Sequence, residues 1–165
     1  MRKSPIGLTL NGRAREAWVW PHQTLLQVLR DDLGATEVKY GCGEGVCSTC
    51  TVLMDGESIN SCLMFAVQAD GRSLTTVKGL AEGDELHPLQ ESFLAHDAAQ
   101  CGFCTPGMLL IAHEFLGRHS RPSREEIREA LAGNLCRCTG YTKIIDAVES
   151  FAMDRRDPSS GGAPR

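Results

Sequence analysis

The chain has 165 residues, 17 of them basic and 21 acidic, for a net charge of −4, and it carries no basic stripe, which argues against nucleic acid as its main partner. With 42 % apolar but only 5 % aromatic residues it suits one domain or two small ones, and two half-size cores would each be marginal without staples, for which eight cysteines are candidates. No apolar run approaches the length of about 18 residues that a membrane span needs, and the opening MRKSPIGLTL lacks the hydrophobic core of a signal peptide. The expected compartment is therefore the cytoplasm, where clustered cysteines mean metal sooner than disulfide.

In chain order, Ile6, Leu8 and Leu10 alternate with Gly7 and Thr9, Asn11-Gly12 is a strong hairpin turn signal, and Arg13 to Trp20 resumes as a strand. Thr24 and Gln27 form a capping box, and Leu25, Leu29 and Leu33 repeat at helical spacing until Gly34, so a helix is predicted over about 25–33. After the loop GCGEGVCSTC come Thr51 to Met54, the turn Asp55-Gly56, and Glu57 to Cys62, a second hairpin that folds Cys62 back toward the loop. Leu74 to Val77 is a last short strand. A small mixed sheet crossed by one helix, a β-grasp domain, is expected over residues 1–80.

The loop itself carries the first chemical signal. Cys42, Cys47 and Cys50 with a remote Cys62 have plant-type [2Fe-2S] spacing, three thiolates from one tight loop and one from elsewhere. Gly41, Gly43 and Gly45 permit the dihedrals such a loop requires, and its amide groups can then point at the anionic cluster. Structural zinc, which favours paired short-gap cysteines on two loops, and a disulfide are the competing readings.

Beyond Gly79 the period becomes helical. Pro88 suits the first turn of a helix carrying Leu89, Phe93 and Leu94. Thr105-Pro106 reads as a cap and first-turn proline ahead of Leu109, Ala112, Phe115 and Leu116, ending at Gly117. Ser123 and Glu126 form a capping box leading to Ile127 and Leu131, and Ile144, Ile145, Val148 and Phe151 mark a fourth helix. The fold class expected is α+β, with a four-helix bundle over 81–153 and a disordered tail over 154–165. Cys101 and Cys104 precede one of these helices and Cys136 and Cys138 flank Arg137 before another, so four thiolates from two turns could close on one centre. Spacing alone leaves iron–sulfur and zinc both open here.

GCGEGVCSTC with Cys62, QCGFCTPGM over 100–108 and GNLCRCTGY over 133–141 resemble, in this order, the small iron–sulfur subunit of the xanthine oxidase family of molybdenum hydroxylases, across nearly the whole chain. The resemblance implies a plant-ferredoxin-like domain and a helical domain, each with one [2Fe-2S] cluster. Cys42, Cys47, Cys50 and Cys62 match the distal ligands, and Cys101, Cys104, Cys136 and Cys138 the proximal ones. Gln100 matches a glutamine that hydrogen-bonds the pterin, and Cys138 the ligand nearest to it. Implied partners are a large molybdopterin subunit and a medium FAD subunit, in a dimer of heterotrimers. Electrons would pass from molybdenum through the helical and then the ferredoxin-like cluster to flavin, with no substrate chemistry on this chain. One departure is Ser48, where the family pattern usually has glycine: serine either adopts the same backbone at some strain or alters hydrogen bonding to sulfur.

Among other residues, His22, His87, His96, His113 and His119 lack ligand spacing with the cysteines and read as surface or capping residues. Arg137 is an ordinary surface arginine or an offset to cluster charge. Tyr40 and Phe103 read as packing sooner than as shields, and Met108, Leu109, Phe115 and Ile144 as core. A free-standing two-cluster ferredoxin and a zinc-stabilised interaction module are the rival functions. Within the family, substrates range over carbon monoxide, aldehydes, purines, N-heterocycles and hydroxybenzoyl thioesters, and LTLNGRARE and LAGNLCRCTGYTKII lean slightly to the last.

Overall fold

Alternation makes β1 (Ser4–Leu10) two-faced, with Ile6, Leu8 and Leu10 buried and Gly7 outward. In the computed structural model, which describes residues 2–155, the chain reverses at Asn11-Gly12, and β2 (Arg13–Val19) returns antiparallel with Leu10 opposite Arg13. Asn11 and Gly12 both have positive φ, 50° and 75°, the pair of left-handed residues that a two-residue turn needs to match strand twist. Asp55-Gly56 repeats the device between β3 (Thr51–Met54) and β4 (Glu57–Asn60). β5 (Ser73–Thr75) lies parallel to β1 and antiparallel to β3, giving the order β2-β1-β5-β3-β4. That last strand does not run on to Val77 as expected. Thr76 is fully buried, its N–H bonded to Asn11 Oδ1 (2.8 Å) and its hydroxyl donated to Glu37 (2.8 Å), and the chain then enters a 3-10 turn, Val77–Leu80.

The capping box at Thr24 and Gln27 forms, but the helix after it differs from the prediction. Only α1 (Leu25–Gln27) has α geometry, and Val28–Asp32 widens into a π turn in which Leu33 N–H reaches the Val28 carbonyl (2.9 Å). Leu25, Leu26, Val28 and Leu29 are all buried, whereas Leu33 is only partly so. The extra residue in the turn shifts Leu33 off the core stripe that simple helical spacing assigned to it.

Four helices follow: α2 (Pro88–Ala95), α3 (Thr105–Arg118), α4 (Arg124–Leu131) and α5 (Thr142–Asp154). The predicted capping box of Ser123 and Glu126 is present. Thr105 is not the cap of α3 but its first residue. Cys104 takes the cap position without a side-chain bond, and the Thr105 hydroxyl is buried without a partner. α3 runs one residue past Gly117, and α5 ends at Asp154, the first residue assigned to the tail; the tail over 156–165 lies outside the described residues.

Two apolar clusters result. One lies under the sheet, built by Ile6, Leu8, Val19, Leu25, Leu29, Val52 and Leu74; the other joins the helices through Leu89, Phe93, Met108, Leu110, Ile127, Leu131, Ile144 and Val148. Leu53 of β3 and Leu80 belong to the helical cluster, so α3 is seated on the β3–β4 hairpin. Glu114 of α3 accepts from the Ser58 N–H (2.9 Å) at the same seam. Met108, Leu109 and Ile144 are core as expected and Phe115 partly so, but Tyr40 and Phe103 are 59 % and 47 % exposed and pack in neither cluster. Among the described residues no helix is long and apolar enough to cross a membrane.

His87 has the capping role expected of it: its Nδ1 accepts from the Leu89 N–H (3.1 Å), which requires an unprotonated Nδ1. Its ring meets His113 edge-on, with centroids 5.1 Å apart. Burial holds both imidazoles below their usual pKa of 6.5, helped at His87 by His113 and Arg155 and at His113 by Arg155. A depressed folded-state pKa leaves stability complete above the unfolded value and loses it as pH falls below that value. The denaturant midpoint should therefore drop between about pH 7.5 and about pH 5.5. His87→Asn, which caps without titrating, should show a smaller drop when the two unfolding curves are compared.

Candidate metal centres

No helix or strand covers residues 41–50; side chains and carbonyls from neighbouring elements fix the loop instead. Asn60, at the end of β4, donates to the Gly45 carbonyl (3.2 Å), and the buried Ser61 hydroxyl donates to the Cys50 carbonyl (2.7 Å). Gly43 and Gly45 have φ of 74° and 76°, and a Cβ on Gly41 would lie 2.8 Å from Cys47 Sγ, so the loop closes too tightly on its sulfurs for side chains at these positions. Its amides turn inward: Glu44 N–H points at Cys42 Sγ (3.3 Å) and Cys42 N–H at Cys47 Sγ (3.4 Å). Ser48 adopts a φ of 49°, so it accepts the left-handed backbone that glycine would take more cheaply.

Cys101 and Cys104 lie just before α3, and Cys136 and Cys138 in the turn between α4 and α5. Cys101 and Cys138 have their sulfurs 3.6 Å apart and are exposed, while Cys104 and Cys136 form a second, half-buried pair. The first loop is arranged alike, with Cys42 and Cys47 as a half-buried pair and Cys50 and Cys62 as a buried one. The eight sequence-predicted cysteines are thus brought together as two sets of four, each set as two pairs. Gln100 is exposed beside Cys101. Arg137 is exposed, and none of the five histidines joins either set.

The electrostatics bear on what would fit. Burial, then the neighbouring Cys50, pushes the Cys62 thiol up to about 11, and burial, then Cys136, pushes Cys104 up to about 12. Cys138 is raised by Cys101. Cys42 falls to about 6 because the Glu44 N–H and then the Cys47 side chain support its thiolate. Cys136 is also lowered: burial is the largest single influence and acts upward, but the Thr139 hydroxyl and the N–H groups of Thr139 and Cys138 together outweigh it. Close thiols that resist ionising, as Cys62, Cys104 and Cys138 do, suit a cation, which would deprotonate them. Among the described residues no three cysteine, histidine or acidic side chains converge on one single-ion position. Two sulfur pairs per site suit a centre with two metal ions better than a single tetrahedral zinc.

The two loops touch. Leu135 N–H donates to the Cys47 carbonyl (3.1 Å), Asn134 Nδ2 donates to the Ser48 carbonyl (3.2 Å), and Gly107 of α3 packs against the same carbonyl. Asn134 is 1 % exposed, and its own carbonyl accepts from Tyr141 Oη (2.9 Å), which in turn accepts from the Cys136 N–H (2.9 Å). Sequence reasoning assigned no role to Gly107, Asn134, Thr139 or Tyr141. All four lie inside the two cysteine motifs, so adjacency to the ligands was the available signal, but nothing in spacing says which neighbour faces the other loop.

A Cβ on Gly107 would lie 2.5 Å from the Ser48 oxygen. Gly107→Ala should therefore cost about 1–3 kcal/mol, and Ser48→Gly should gain about 1 kcal/mol by relieving the left-handed serine. Both values are read from denaturant unfolding of the metal-loaded chain.

Residues 8–77 match the family model described as a 2Fe-2S iron-sulfur cluster binding domain, and residues 76–149 the one described as a [2Fe-2S] binding domain. The chain is 52 % identical over 143 residues to the nicotine 6-hydroxylase small subunit of Paenarthrobacter nicotinovorans, covering 87 % of this chain and 86 % of that protein. It is 48 % identical to the nicotinate dehydrogenase small FeS subunit of Eubacterium barkeri, covering 94 % and 98 %. In structure it is similar to a chain of quinoline 2-oxidoreductase from Pseudomonas putida 86, with a TM-score of 0.90, 48 % identity and coverage of 94 % and 98 %.

Proposed function

Because this chain belongs to the small iron–sulfur subunits of the xanthine oxidase family of molybdenum hydroxylases, we propose the residues through which it performs that family's electron transfer. The chain is the electron-transfer subunit of a heteromeric oxidoreductase and carries two [2Fe-2S] clusters, with substrate chemistry on other subunits. When bound, each cluster supplies a one-electron couple whose potential its surroundings set.

The observation that carries the assignment is the pairing of sulfurs. Cys42 with Cys47 and Cys50 with Cys62 would each hold one iron of the first cluster; Cys101 with Cys138 and Cys104 with Cys136 would each hold one iron of the second. The division into a ferredoxin-like domain over 1–80 and a helical domain over 81–153 is supported by the two apolar clusters, although Leu53 and Leu80 from the first segment are shared with the second.

The exposed residues suggest where partners sit. Gln100, Cys101, Phe103, Leu135 and Cys138 are all exposed near the second site, which supports this face as the one that meets a molybdopterin subunit, with Gln100 hydrogen-bonding the pterin and Cys138 nearest to it. Tyr40, Val46 and Leu63 form an exposed apolar rim at the first site, with Leu63 against Gly45, and suit an FAD subunit there. A dimer of heterotrimers in the cytoplasm is the assembly that follows. The relatives named above act, by their names, on nicotine, nicotinate and quinoline, which supports a nitrogen-containing aromatic ring as the substrate class of the complex.

Anaerobic co-purification with neighbouring subunits should give about four irons and about four sulfides per chain, with two EPR signals after dithionite reduction. Cys62→Ser should abolish or alter one signal and Cys136→Ser the other. Zinc without sulfide would overturn the assignment and restore the interaction module, and two signals without companion chains would favour a free ferredoxin.

A further inference from the structure

The hydroxyls around the two cysteine sets are used differently. At the first set, Thr49 points its hydroxyl at the Cys47 carbonyl (3.5 Å), Thr51 at the Ser48 carbonyl (2.7 Å) and Ser61 at the Cys50 carbonyl (2.7 Å). Sulfur there is approached by main-chain N–H groups. The Asn60 side chain, through Oδ1, stays 3.9 Å from Cys50 Sγ. At the second set, Thr139 Oγ1 lies 3.2 Å from Cys136 Sγ.

The direction of that last bond follows from what surrounds it. Thr139 Oγ1 accepts from the Tyr141 N–H (3.2 Å), so an oxygen lone pair is engaged and the hydroxyl has one proton left to give. A metal-bound thiolate can only accept. Tyr141 is itself held, because its Oη accepts from the Cys136 N–H and donates to the Asn134 carbonyl, both at 2.9 Å. Tyr141 also sits at a φ of 68° before α5, a left-handed conformation that fixes where its N–H points. The loop from Asn134 to Tyr141 is thus closed on itself, with the Thr139 hydroxyl aimed at sulfur and half-shielded from water.

We propose that Thr139 is a potential-setting residue, whose hydroxyl donates to the Cys136 sulfur and raises the reduction potential of the helical-domain cluster relative to the ferredoxin-like one. The inference rests on the ligand assignment above. Reduction adds one electron and no proton: the hydroxyl hydrogen stays on oxygen, and its bond to sulfur strengthens as the sulfur gains negative charge. The reduced state is therefore favoured, and the effect is confined to the cluster that Cys136 serves.

The test is an EPR-monitored redox titration of the co-purified complex, with dithionite as the electron source, on wild type, Thr139→Val and Thr139→Ser. Val should shift the helical-domain signal toward the oxidised form about tenfold at fixed potential, which is about 59 mV more negative for one electron. Ser should titrate close to wild type, and the other cluster should not move in any of them. An unchanged potential in Thr139→Val, equal shifts in the Val and Ser variants, or both clusters shifting together would overturn the proposal. If Val does not load, Thr139→Ala is titrated instead. Loss of the signal in both while Ser loads normally would also overturn it, since the hydroxyl would then serve assembly. Wild type lacking iron and sulfide would instead sink the ligand assignment, so the two failures are distinct.

Discussion

Thiolates repel one another, and this chain gathers four of them twice. Burial and the neighbouring sulfurs raise the pKa values of Cys62 and Cys104, the neighbouring Cys101 raises that of Cys138, and a bound cation would offset these effects. Cluster binding and proton release are consequently one event, coupled to the ordering of the loops. The inward amides of Cys42 and Glu44, the left-handed backbone at Gly43, Gly45 and Ser48, and the two-pair arrangement of each set all answer this single constraint.

A second constraint follows for a chain that carries two such centres: their separation has to be held. The contact of Leu135 and Asn134 with the carbonyls of Cys47 and Ser48 does this, through the Leu135 main-chain N–H and the buried Asn134 side-chain amide. Gly107 admits the contact by lacking a Cβ, and α3, on which it sits, is anchored independently by Leu53 and by Glu114 against the β3–β4 hairpin. One helix therefore seats the helical half on the sheet and brings the second cysteine set to the first. Ser48 looks like a departure at a ligand-adjacent position, yet its carbonyl is the shared acceptor for Thr51 and Asn134, and its strain is borne where the structure is most constrained.

The two sites differ in exposure as well as in fold. Cys101 and Cys138 are open at the surface with Gln100 and Phe103, while Cys50 and Cys62 are buried in the first apolar cluster. Hydrogen bonding differs too, with hydroxyls spent on carbonyls at one set and one hydroxyl aimed at sulfur at the other. Hydrogen bonds to sulfur and solvent exposure are the levers by which a protein sets a cluster's potential.

Local chemistry is what the sequence alone determined. Hairpins at Asn11-Gly12 and Asp55-Gly56 and capping boxes at Thr24 and Ser123 were legible, because each depends on residues within a few positions of one another, as do the short cysteine gaps within each motif. The π turn after Gln27, the early end of β5 at Thr75 and the helical start at Thr105 were not. The end of β5 is imposed by partners distant in the chain, since Asn11 and Glu37 hold the buried Thr76. For the same reason the sequence marked eight candidate ligands, the second four by family resemblance, but not their pairing. Which sulfur lies beside which, and which neighbour of a ligand reaches the opposite loop, depends on how α3 and the turn before α5 dock against residues 41–50, and only tertiary packing decides that.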